Sequence, residues 1–84
     1  MFQRIGEDKS LFVTVRKELN HERAVRAMRA LRGHEGKSHL HGYEVEEAAI
    51  DAVTNIFHLL HERGFDVDKV VTTCLNHFAC ERID

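Results

Sequence analysis

Two stretches of helical hydrophobic spacing, separated only by Gly64-Phe65-Asp66, constrain this chain more than any other feature. From Val67 onward the apolar residues fall at Val67, Val70, Val71, Cys74, Leu75, Phe78 and Ala79, the three-four spacing of one helical face. Asp68, Lys69, Thr72, Thr73, Asn76 and Glu81 take the other side. Asp66 is placed as N-cap, its carboxylate facing the free amides of the first turn, and Phe65 with Val70 has the spacing of a hydrophobic staple. Upstream, Val45, Ala49, Ala52, Val53, Ile56 and Leu60 form the main stripe of a helix predicted from Glu44 to Arg63, widened by Ile50, Phe57 and Leu59. Glu44, Glu46 and Glu47 suit its dipole at the start, and Gly64 is free to take a left-handed C-terminal cap. So short a link makes the two helices antiparallel neighbours. The widened apolar face exceeds what one helix covers, so the rest of the chain or a second copy is expected to cover the remainder.

The first half is less decided. Gly6 to Ser10 is a turn-like cluster between Phe2–Ile5 and Leu11–Val15, and Phe12-Val13-Thr14-Val15 has strand chemistry, which would make a small β-hairpin. A helix from Ser10 with Leu11, Val15 and Leu19 on one face competes with it, and Arg16-Lys17-Glu18-Leu19 favours the helix. Asn20 is a good N-cap for a further helix through Arg32, closed by Gly33 and carrying Ala24, Val25, Ala27, Met28, Ala30 and Leu31. On one continuous helix the Leu11/Val15/Leu19 and Ala24/Met28/Leu31 faces point in different directions, so a break near Asn20 is predicted. Gly33 to Gly42 reads as a polar loop.

At 84 residues the chain is one small domain, and a compact chain of this size buries only ~60–65% of its unfolded surface. With 43% hydrophobic and 31% charged residues it belongs with ordinary globular chains and not with disordered ones. No apolar run reaches the ~18 residues of a membrane span and the N-terminus lacks a signal-peptide pattern, so a cytoplasmic protein without membrane attachment is expected. Cys74 and Cys80 lie six residues apart on one helix, too far to bridge, which implies reduced thiols; Cys74 is expected to be a small core residue. Charge is uneven: residues 1–42 carry nine Lys/Arg against five acids (+4), and residues 43–84 three against nine (−6). That asymmetry is the strongest hint of an interaction surface.

Few constellations carry chemistry. Gly33-His34-Glu35-Gly36-Lys37-Ser38 ends like a phosphate loop, but Leu31 stands where that motif needs its first glycine, and a helix precedes it where a strand is required. His34, His39 and His41 cluster as weak metal candidates; without a cysteine nearby or a fixed second shell, the plainer reading is a solvated histidine-rich loop. Glu47, Asp51, Thr54, His58 and His61 share one helical stripe, again read as solvent-facing. Cys74, His77 and Cys80 fan too widely around a helix to converge on one ion. Ser10 and Ser38 have no histidine fixed beside them, so no nucleophile–base pair is argued.

The stretch DAVTNIFHLLHERGFDVDKVV, Asp51 to Val71, resembles the last helix pair of the all-α nucleoside triphosphate pyrophosphohydrolases over about a quarter of the chain. That resemblance implies magnesium held by a Glu-x-x-Glu pair on one helix and Glu-x-x-Asp on the next. Asp51 matches the final aspartate, but Ala48 stands at its partner position, and Glu18 and Glu22 are four apart instead of three.

The resulting expectation is an all-α bundle of three to four helices, with α+β bearing an N-terminal β-hairpin as the alternative. The expected function is a non-enzymatic interaction module (regulator, adaptor or inhibitor) that forms a homodimer, needs no cofactor and meets an acidic protein partner through Arg23, Arg26, Arg29 and Arg32. Nucleic-acid binding by that arginine helix and a metal-dependent pyrophosphohydrolase activity are the alternatives.

Overall fold

The hairpin forms as its local signals dictate. In a computed structural model, which describes the backbone of residues 2–83 and the side chains of residues 10–83, three α-helices follow one another: α1 (Phe2–Glu35), α2 (Glu44–Glu62) and α3 (Val67–Glu81). Between α2 and α3, Gly64 sits at φ 78°. Its amide donates to the His61 carbonyl (3.0 Å) and that of Phe65 to the Leu60 carbonyl (2.9 Å), the paired bonds of a Schellman cap. Asp66 then opens α3 in extended conformation, its Oδ1 accepting from the Lys69 amide at 3.1 Å. Cap and counter-cap occupy three consecutive residues, so the reversal is specified locally.

α1 departs from expectation. It is one uninterrupted helix of 34 residues, ~51 Å long at 1.5 Å per residue, and no strand occurs among the described residues. The turn expected over Gly6–Ser10 and the alternative β-hairpin are therefore corrected. Within the β-branched run, Thr14 Oγ1 donates back to the Ser10 carbonyl (3.1 Å) one turn earlier, which satisfies its hydroxyl inside the helix. The break near Asn20 is absent too: Asn20 lies mid-helix, and its amide is used for a tertiary bond described below. Gly33 is a helical residue, and closure comes at Gly36 (φ 67°), where the Lys37 amide reaches the Arg32 carbonyl (3.0 Å). The change of apolar face near Asn20 is real; it marks a change of surroundings along one helix, not a break in it.

α1 lies against α2, and α2 against α3. The seam holds half-buried Met28 and Leu31 from α1, Val45, Ala49, Ala52, Phe57 and Leu60 from α2, and Val67, Val70 and Val71 from α3. Among the described residues Ala48 alone is fully buried, at 1% exposure. The arrangement is open: the radius of gyration is 17.0 Å, against ~12 Å for a compact domain of this length.

Candidate functional site

Three side chains on one face of α1 hold the end of α3. Arg16 Nη2 donates to the Cys80 carbonyl (2.8 Å) and Asn20 Nδ2 to the Glu81 carbonyl (2.7 Å). Arg23 pairs with the Glu81 carboxylate (3.0 Å) while donating through Nη1 to Asn20 Oδ1 (2.7 Å). The last turn of α3 has no basic residue of its own. Its free carbonyls and negative dipole end are therefore met by cations from another helix. Arg23 is thus engaged within the fold as a tie to the end of α3 while remaining exposed. Beside the clasp, Asn20, Ala24, Ala27, Phe78 and Ile83 line an open groove of about 570 Å³.

The other arginines are placed differently. Arg26 and Arg29 are exposed and line a shallow depression with Glu22 and Val25. Neither makes an ion pair among the described residues. Arg32 is half-buried near the helix end. The four arginines do not form one surface; Arg26 and Arg29 are the pair left outward.

The histidines are likewise divided. His34 Nδ1 lies 3.1 Å from Glu35 Oε2 and its Nε2 lies 2.9 Å from Asn55 Nδ2 on α2. A neutral ring protonated on Nδ1 satisfies both contacts, donating to the carboxylate and accepting from the amide. His39 and His41 stack on one another at 5.8 Å between centroids. No group of three or more His, Cys, Asp or Glu among the described residues is arranged to hold a metal ion. In the same loop, Glu44 accepts from Lys37 Nζ (3.1 Å) and from the His41 amide (3.2 Å), and these two bonds, the lysine first, hold its pKa below the usual carboxylate value.

Asp51, the residue matching the pyrophosphohydrolase pattern, is exposed on α2, but the position that should carry its partner is Ala48, packed inside. A carboxylate there would lie in the seam between helices, which does not fit the pattern. Cys74 and Cys80 are free and exposed, so Cys74 is not the core residue expected; none of the described residues covers its part of α3.

What most distinguishes the surface is its apolar content. Leu11 and Phe12 on α1, Ile50 and Ile56 on α2, and Leu75 and Phe78 on α3 are each at least half exposed. The accessible surface totals 7385 Å²; a compact monomer of 9.7 kDa exposes ~5,100 Å². No helix among the described residues is long and apolar enough to cross a membrane. Compared with family models, with curated proteins and with solved structures, the chain matches none.

Proposed function

We propose that this protein is a non-enzymatic interaction module that works as a self-associated helical assembly and meets an acidic protein partner through Arg26 and Arg29. The observation that carries the reading is the exposure of large apolar side chains on all three helices, with Ala48 the one fully buried residue among those described. Exposed apolar surface of this extent, with the α2 depression lined by Ile50, Val53 and Phe57 within it, supports a protein contact. The outward arginine pair supports the second half: guanidinium groups without an ion pair among the described residues favour carboxylate recognition.

Sedimentation equilibrium across the micromolar range tests the first half, with a mass above the monomer expected at the upper end. Poly-glutamate binding, followed against salt, tests the second. Binding should weaken steeply with salt and be lost in an Arg26→Gln/Arg29→Gln variant of unchanged helicity. Tighter retention of random-sequence DNA than of poly-glutamate would replace the acidic-protein reading by the nucleic-acid one.

A further inference from the structure

We infer that α2 is the dimer helix, and that two copies pack their α2 outer faces antiparallel about a two-fold axis passing between Val53 and Thr54. The inference deepens the self-association proposed above and rests on it. α2 turns one side to α1, where Ala48 is buried, and leaves Ile50 and Val53 exposed on the outer side, where half-buried Phe57 joins them, Ala49 and Thr54 in lining an almost wholly apolar depression. Ile50 is 58% exposed although it sits mid-helix among other apolar residues.

The occupant follows from area and charge. The chain exposes about 2,300 Å² more than a compact monomer of its mass. That excess is spread over all three helices and leaves room for the ~1,000 Å² or more that an obligate homodimer buries on each partner, with the α2 face as its centre. Orientation follows from the charges on α2. Its first turn carries Glu44, Glu46 and Glu47, and its last turn carries His61 with Arg63 as C-cap. A parallel pair would set three carboxylates against three. An antiparallel pair sets the acidic start of each helix beside the His61-Glu62-Arg63 end of the other, which carries no net negative charge, and opposes the two dipoles. The register is then symmetric: Ile50 and Phe57 lie equally far from the midpoint between Val53 and Thr54, as do Glu46 and His61. Ile50 therefore meets Phe57 of the second copy, and Glu46 meets its His61.

The test uses the full chain with Cys74→Ser and Cys80→Ser, which removes the two exposed native thiols. Chains carrying Ile50→Cys and differently tagged chains carrying Phe57→Cys are mixed and treated with a short bis-maleimide. Mixed dimers should dominate over like-with-like products. Separately, Ile50→Glu should raise the dimer dissociation constant roughly a hundredfold or more, because each copy loses a buried isoleucine and gains a carboxylate in the contact. Phe12→Glu on α1 should leave it within a few-fold. A dimer that survives Ile50→Glu but dissociates in Phe12→Glu, with no excess of mixed cross-link, overturns the α2 face and leaves self-association standing. A wild-type chain of monomer mass throughout removes both. Should Ile50→Glu lose its helicity, the cross-linking ratio decides by itself, like-with-like products then refuting the antiparallel register.

Discussion

Replacing Gly64 by alanine isolates what the α2–α3 turn contributes. Gly64 holds φ 78°, and a Cβ built there meets no heavy atom within 4 Å, so the substitution adds no clash. Its cost is the intrinsic one of placing an L-residue in the left-handed region, ~1–2 kcal/mol. Against this, alanine narrows the unfolded ensemble and returns at most ~0.4–1 kcal/mol. The net expectation is a destabilisation of about 1 kcal/mol, a fall of ~4–8 °C in the melting temperature of a domain this small. Thermal unfolding by circular dichroism, at one fixed protein concentration because association shifts the midpoint, gives the value. Gly36→Ala, with φ 67° and equally open surroundings, should cost a similar amount. A synthetic chain with D-alanine at position 64 should be at least as stable as the native one, because its preferred φ is positive. If L-alanine is neutral while D-alanine destabilises, the left-handed cap is not the basis of this turn.

Asp66→Ala removes the acceptor of the Lys69 amide and should cost ~0.5–2 kcal/mol, with Asp66→Asn close to wild type; urea unfolding measures both. Asn20→Ala should lower stability by about 1 kcal/mol and speed amide exchange selectively at the end of α3, because its bond to the Glu81 carbonyl is lost. Glu44, with its pKa depressed in the fold, adds stability above the unfolded carboxylate value, and that contribution is lost as pH falls through the folded value; carboxyl NMR titration should show its midpoint rising in Lys37→Gln. Amides on the outer side of α2 around Ile50 and Val53 should gain exchange protection as protein concentration rises, whereas those of α2 facing α1 should be protected throughout.

What the sequence made legible was local. The α2–α3 reversal rests on Gly64, Phe65 and Asp66, and neighbouring residues carry its whole instruction, so α2 and α3 emerge close to their expected bounds. α1 was harder because its two apolar faces differ in direction, which periodicity reports as a break. In the fold, Met28 and Leu31 are half-buried against the other helices, while Leu11, Phe12, Val15 and Leu19 stay exposed beside the end of α3, and one helix serves both. Arg23 could not be separated from Arg26 and Arg29 by spacing, since its role depends on where the end of α3 lands. One signal was present: α3 has no basic residue in its last turn, so its carbonyls had to be met from elsewhere. The histidines had no such signal, because the Asn55 contact that engages His34 crosses between helices.

The N-terminal half of α1 carries the argument about assembly furthest. Leu11 is 64% and Phe12 60% exposed, and Val15 and Leu19 lie beside them on the same side of the helix. Phe12 is crossed by the Arg16 guanidinium at 5.3 Å, a contact worth only ~0.5–1 kcal/mol at an exposed site. An isolated helical stretch of this length is marginal in water, and β-branched Val13, Thr14 and Val15 weaken it further. Local propensity therefore does not account for an ordered helix here. Arg16 and Asn20 anchor its C-terminal side to α3, and Phe12 and Val15 reach only the open depression they share with Glu81. A dimer formed through the outer face of α2 would not by itself cover this stripe, since α1 occupies the opposite side of α2. The stripe therefore answers to a second contact, reached once α2 has paired: either the far end of the other copy's α1 or the outside partner. In that arrangement α2 sets the stoichiometry and the helical turns from Leu11 to Leu19 are covered on engagement. Concentration should then protect these amides only if the second copy is what covers them.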